Sequence, residues 1–304
     1  MLKPLAGLLR GGRTALAETL GAAVAAIPVL EAPYIAAGMR AARWHYPGTV
    51  YWESHQALTR RLRTSGRRFR TLDILGHAII LDVTDSSAYM RYFHARPYEP
   101  ELTAFLADTV RPGSVFVDVG ANIGLFTLLA ARCASPGGRV LAFEPHPDAR
   151  ARMQHLLTLN GLTNLVTVSN AALSDRSGPA APLFLASDSV LSTLDPSVAP
   201  LKDEYAFRTS VDVPVSSLDD WLAASGPPWR DTPIDVIKID VEGTEARVLH
   251  GMARTLARSP SLKIVCETTA GGAADDLLKA AGFTVRPLES RRGSFGNYLY
   301  IRAR

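Results

Sequence analysis

A parallel α/β sheet preceded by a basic helical extension is the fold class this sequence predicts. Three observations carry that expectation. From Val115 onward, short apolar strand-like runs alternate with helical runs across short connections, the pattern of a parallel sheet covered by helices. The 304 residues are 47% hydrophobic and 20% charged, enough to bury a sizeable core and too apolar for a disordered chain. Charge is unevenly spread: residues 1–70 hold 11 Arg/Lys against 3 Asp/Glu, while the rest is at −4. The expected organisation is a basic, Ala/Arg-rich helical extension over 1–70 and a catalytic or binding domain over 71–304.

Taken in order, Ala15 to Met39 reads as an alanine-rich helical hairpin, and Trp44 to Arg70 as a connector or surface helix. Thr71 to Val83 reads as two short strands around Gly76-His77. Glu101 to Val110 has helical apolar spacing and is stopped by Arg111-Pro112-Gly113. Then come strand Val115–Val117, helix Leu125–Arg132, strand Arg139–Phe143, helix Asp148–Asn160 and strand Leu165–Val168. The rhythm loosens between Ala171 and Pro233, where Pro182–Ala186 and Val211–Val215 are strand-like; a substrate-facing insertion and an irregular surface excursion are both open there. Strand Ile234–Val241, helix Thr244–Ala257, strand Leu262–Glu267, helix Asp275–Ala281 and a closing pair, Phe283–Pro287 with Asn297–Ile301, complete the chain.

Composition excludes several classes. Two cysteines, Cys133 and Cys266, rule out a disulfide scaffold and a multi-cysteine metal centre. No run of about 18 uninterrupted apolar residues predicts a transmembrane helix, because Glu18, Pro28, Glu31 and Pro33 interrupt the best candidate. A cytoplasmic protein that does not bind nucleic acid is expected. Arg10, Arg13, Arg40 and Arg43 flank the first apolar segment and leave peripheral membrane contact open beside plain packing on the main domain.

The chemistry begins at Asp118-Val-Gly-Ala-Asn-Ile-Gly124, where a strand ends in a glycine-bearing turn and a helix opens. A dinucleotide fingerprint has a glycine where this chain has Asn122. A cofactor with a cationic amino-acid end and no pyrophosphate, such as S-adenosylmethionine, suits the turn better. Glu144, ending the next strand in Phe143-Glu144-Pro145, can accept both ribose hydroxyls of an adenosine. In Ile237-Lys-Ile-Asp-Val-Glu-Gly243 the period of two puts Lys238, Asp240 and Glu242 on one face. Three charges on a buried strand are costly unless paired or functional.

Together with Asn170-Ala-Ala-Leu-Ser-Asp175, Ser217-Leu-Asp-Asp-Trp221 and Tyr98-Glu-Pro100, these segments resemble the FkbM family of S-adenosylmethionine-dependent methyltransferases. The resemblance covers about residues 71–304 and does not reach the N-terminal arm. It implies a class I methyltransferase, Rossmann-like fold: a seven-stranded, mostly parallel sheet with a final antiparallel hairpin. It also implies methyl transfer to a hydroxyl of a sugar, glycolipid, polyketide or similar acceptor. Carried over by position, Asp118, Gly120, Asn122 and Gly124 surround the methionine end of the cofactor, Glu144 its ribose, and Asn170 with Ala171 its adenine, while Tyr98 and Glu99 close over the site.

Asp240 and Glu242 are the candidate proton acceptors, with Lys238 to orient an acid or lower the acceptor's pKa. The expected site has no metal; were a divalent ion to assist, Asp240, Glu242 and Glu267 would be its oxygen ligands. Two other readings remain at this level: an NAD-dependent oxidoreductase, and a non-catalytic S-adenosylmethionine-binding paralogue. The oligomeric state is not legible.

Overall fold

The computed structural model describes residues 2–41, 50–94, 96–185, 192–195, 197, 207, 209–289 and 294–302. They form two compact units, Met1–Glu99 and Pro100–Arg304.

The first unit contains helices α1 (Leu2–Ala26), α2 (Glu31–Ala41) and α3 (Val50–Leu62), an antiparallel hairpin of β1 (Phe69–Ile74) and β2 (His77–Asp82), and helix α4 (Ser86–His94). The hairpin turns where Gly76 was expected to turn it, with Leu75 and Gly76 both at positive φ. Helix α1 lies close on α3 because Gly21 has no side chain; a Cβ there would sit 2.4 Å from the Ser54 carbonyl oxygen. The expected boundary after residue 70 falls inside this unit. Glu31 on α2 explains why: its buried carboxylate accepts from Arg67 (2.7 Å), Arg70 (2.9 Å) and Tyr92 (2.6 Å), tying α2 to the hairpin and α4. Of the expected 44–70 connector, residues 44–49 lie outside the described residues and Val50–Leu62 is helix.

The second unit opens with α5 (Pro100–Thr109) and then alternates β3 (Val115–Val119), α6 (Leu125–Ala134), β4 (Arg139–Phe143), α7 (Pro147–Leu159) and β5 (Val166–Ser169). Next come β6 (Ala172–Leu173), β7 (Gly178–Leu185), β8 (Thr209–Ser216) and α8 (Leu218–Ser225). The chain closes with β9 (Val236–Ile239), α9 (Glu245–His250), α10 (Ala253–Arg258), β10 (Lys263–Thr269), α11 (Ala273–Ala280), β11 (Phe283–Pro287) and β12 (Phe295–Arg302). Seven strands make one sheet in the order β11-β12-β10-β9-β3-β4-β5, with β12 antiparallel to both its neighbours and the other pairings parallel. This is the expected class I methyltransferase architecture.

Parallel strands buried on both faces need apolar residues at nearly every position. One face of the sheet, through Val117, Leu141, Ile237 and Ile264, packs with Leu218, Val248 and Leu278 into the main core. The period of two sends Asp118 and Lys238 to the opposite face, where they are cross-strand neighbours.

Three features differ from the sequence reading. The loosened region is a small separate sheet, β6-β8-β7, followed by α8, which begins where the Ser217 hydroxyl accepts from the Asp220 N–H (3.1 Å). The helix expected over Thr244–Ala257 is two helices. It breaks at Gly251, where a Cβ would lie 2.0 Å from the Ser174 carbonyl oxygen. The buried Asp219 then caps α10 by accepting from the N–H groups of Arg254 (2.7 Å) and Thr255 (2.8 Å). Finally, the strand expected to reach Val241 ends at Ile239.

Candidate active site

In a parallel sheet, the carboxyl ends of neighbouring strands share one edge, and ligands bind beyond it. Here that edge carries the turns after β3, β4, β9 and β10.

The turn after β3 is pinned to β4. Gly120 and Ala121 both donate to the Phe143 carbonyl (3.1 and 3.0 Å), and the Asn122 N–H donates to Glu144 Oε2 at 2.6 Å. Gly120, Asn122 and Gly124 all have positive φ. Gly120 must be glycine for a second reason: a Cβ there would lie 1.8 Å from the Asp240 carbonyl oxygen, so the β3 and β9 turns touch backbone to backbone. On that side of Gly120 the β9 turn fills the space a side chain would need.

Glu144 is buried, with Oε1 accepting from the His146 N–H (2.7 Å) as Oε2 does from Asn122. Burial pushes its pKa up to about 7, against the two N–H donors that favour the charged form. Each carboxylate oxygen keeps a further acceptor lone pair. Asn170 is exposed just beyond β5, and the buried Ala171 donates its N–H to Ser169 Oγ (3.2 Å). Tyr98 and Glu99 belong to the first unit, and the edge described here is built from the second unit alone.

Asp118 is fully buried. Its Oδ2 accepts from Thr127 Oγ1 (2.6 Å), its Oδ1 lies 3.8 Å from Lys238 Nζ, and burial holds its pKa above the ordinary aspartate value. Lys238 is also enclosed: Nζ donates to Asp240 Oδ2 (2.9 Å), approaches the Gly120 carbonyl (3.5 Å) and lies 5.5 Å from the centre of the Phe126 ring. Thus Lys238 ties the β3 and β9 turns together and fixes the Asp240 carboxylate. Direct contact of its ammonium with an acceptor is not what this geometry offers.

Past the end of β9 the alternation stops, and Glu242 turns at φ +52°. Asp240, Glu242 and Glu267, all half-buried, nevertheless converge, each offering a carboxylate oxygen within 4.8 Å of the others. These are the residues that could hold a hard divalent cation. Without one, like charges at this range favour sharing a proton. Glu242 is raised to about 7 by burial, then by the neighbouring Asp240 and Glu245 charges.

Thr193 was not found from sequence. This buried residue pairs with Phe184 on β7, and its Oγ1 donates to the Glu242 carbonyl at 2.8 Å, supporting the unusual backbone turn. His146, two residues after Glu144, caps α7 through Nδ1, which accepts from Asp148 N (3.2 Å).

The sheet order and the turns at its carboxyl edge define a class I methyltransferase domain. Residues 118–285 match the Methyltransferase FkbM domain, and the chain belongs to that family. Among curated proteins it is 31% identical to 31-O-demethyl-FK506 methyltransferase FkbM of Streptomyces tacrolimicus, over 58% of this chain and 75% of that protein. It is 32% identical to methyltransferase sdnD of Sordaria araneosa, over 45% and 59% of the two chains. Identity to the hexuronic acid methyltransferase AglP of Haloferax volcanii is 31%, over 52% and 58%. The match therefore spans under two thirds of the length of sdnD and AglP. Membership of a methyltransferase family removes the oxidoreductase reading's main support.

Proposed function

We propose that this chain is an S-adenosylmethionine-dependent O-methyltransferase acting on a hydroxyl of a sugar, glycolipid, polyketide or similar small molecule. The observation that carries this reading is one sheet edge holding both a buried acceptor carboxylate, Glu144, after β4 and a carboxylate cluster, Asp240, Glu242 and Glu267, after β9 and β10. The names of two relatives, a demethyl-FK506 and a hexuronic acid methyltransferase, point to hydroxylated acceptors of these kinds.

The cofactor fits the residues present. A ribose diol needs acceptors, and Glu144 offers lone pairs beyond those taken by Asn122 and His146. Gly120, Asn122 and Gly124 form the turn beside it, and Asn170 with Ala171 follow the neighbouring strand. Asp118 shapes that turn from beneath, because its carboxylate is enclosed by Thr127 and Lys238. When bound, S-adenosylmethionine supplies a methyl group on a positively charged sulfur.

The protein's task is then to align the acceptor oxygen, exclude water and remove one proton. Glu242 is the proton acceptor in this reading, since its pKa of about 7 suits a base at neutral pH. Asp240, fixed by Lys238, orients the acceptor hydroxyl and keeps the Glu242 pKa raised. Lys238 is a positioning residue. No metal is required in this reading, so turnover is expected to survive a chelator. A cytoplasmic location remains part of the reading.

The test is incubation with S-adenosylmethionine and a panel of hydroxylated sugars, glycolipids and polyketides, following S-adenosylhomocysteine release. Turnover lost in Glu242→Gln, with cofactor binding retained, supports the reading. Cofactor binding with no turnover across the panel favours the non-catalytic paralogue.

A further inference from the structure

We propose that the corner between α1 and α2 is a docking surface for an anionic lipid membrane, independently of the chemistry assigned to the second unit. Helix α1 has two unlike faces. Ala17, Gly21 and Val24 are buried, with Gly21 set against α3. Leu16, Leu20, Ala23 and Ile27 recur at intervals of four, three and four, which is one side of a helix. On that side Leu16 is 58% exposed, Leu20 36% and Ile27 48%. The stripe runs on around the corner, where Ala26, Ile27, Pro28, Val29 and Leu30 are consecutive, apolar and all exposed, Val29 to 78%. Isolated surface hydrophobics need no explanation, but a contiguous exposed stripe marks an interaction face.

Charge selects the occupant. The only acids among residues 2–41 are Glu18 and Glu31, and both are committed: Glu18 pairs with Arg60 and Arg61, and Glu31 with Arg67 and Arg70. Arg40 is exposed at the end of α2, and the sequence adds Lys3, Arg10 and Arg43 around the apolar segment, while Arg13 pairs with Glu53 (2.6 Å). Residues 1–70 carry 11 Arg/Lys against 3 Asp/Glu, so a second copy would meet like charge while anionic headgroups would meet opposite charge. The pair Gly11–Ala26 and Pro28–Arg40 together reach the length and apolar content of a membrane segment, but they are bent by 116°. No single described helix is long and apolar enough to cross. In this proposal the apolar corner dips into one leaflet and the net positive charge of residues 1–70 draws it to anionic headgroups.

Sedimentation of the full chain with phosphatidylcholine vesicles, with and without phosphatidylglycerol, tests this. The expected result is binding to the anionic vesicles, weakened by high salt and reduced about tenfold or more in the Ile27→Asp/Val29→Asp variant, with thermal stability unchanged. Val29→Asp alone is the second variant; so exposed a side chain leaves little packing to lose. Absence of binding, equal binding by the variants, or a concentration-dependent dimer abolished by Val29→Asp without any lipid effect would overturn the proposal.

Discussion

Replacing Lys238 by Met tests the wiring beneath the sheet edge. Lys238 Nζ lies 3.8 Å from Asp118 Oδ1 and 2.9 Å from Asp240 Oδ2, in a place almost closed to water. Met fills similar space without the charge, so packing changes little. Asp240 is partly exposed and keeps solvent, but Asp118 is left with Thr127 alone, through its hydroxyl and its backbone N–H. Breaking a buried pair from one side costs about 3–5 kcal/mol. The pH dependence has a definite sign. Burial already holds the Asp118 pKa above the ordinary value while Lys238 pulls it down. Losing the ammonium raises it further, and a group whose folded pKa exceeds its unfolded one loses stability as pH rises towards the folded value. Urea denaturation should therefore show a deficit of about 3–5 kcal/mol near pH 8 that shrinks near pH 5. Adding Asp118→Asn should recover about half of it. A deficit below about 1 kcal/mol near pH 8, or the same deficit at both pH values, would refute the pairing.

Glu144→Ala should weaken S-adenosylmethionine binding by about ten- to a hundredfold, the loss of charged hydrogen bonds, measured by calorimetry. In the unaltered protein, affinity should fall as pH drops below about 7, where Glu144 takes up a proton and loses acceptor capacity. Glu242→Gln should reduce kcat by about 10²- to 10⁴-fold with little change in cofactor Kd, and kcat should rise with pH through about 7 in the parent enzyme; a chelator should leave that rate unchanged. Thr193→Val should lower kcat by about tenfold without changing cofactor affinity, and Thr193→Ser should restore it, because the Thr193 hydroxyl donates to the Glu242 carbonyl. Gly120→Ala should fail to fold or lose several kcal/mol in denaturation, since its Cβ meets the Asp240 backbone oxygen and its φ is +78°.

The sheet was legible because parallel strands buried on both faces advertise themselves as apolar runs, and β3, β4 and β10 fall within two residues of their expected bounds. The closing antiparallel pair, β11 and β12, was legible as two strand-like runs after the last helix. What the sequence hid depends on contacts between distant segments. Gly251 breaks a helix only because Ser174 presses on it from another part of the fold. Thr193 reaches Glu242 across 49 residues through a strand bridge that no local pattern announces. Likewise, the three-charge face was read as a strand property, whereas Lys238 is set by the strand and Glu242 by a turn of positive φ beyond it. Asp118 was legible as important but not in its manner: its carboxylate faces Lys238 and Thr127 inside the protein.

The most direct test of the central claim is a calorimetric titration of the full chain with S-adenosylmethionine, with NAD in a parallel cell. Saturable binding of S-adenosylmethionine alone, lost or strongly weakened in Glu144→Ala, is the predicted result. Binding of NAD alone would contradict the account and leave Asp240 and Glu242 as structural charges.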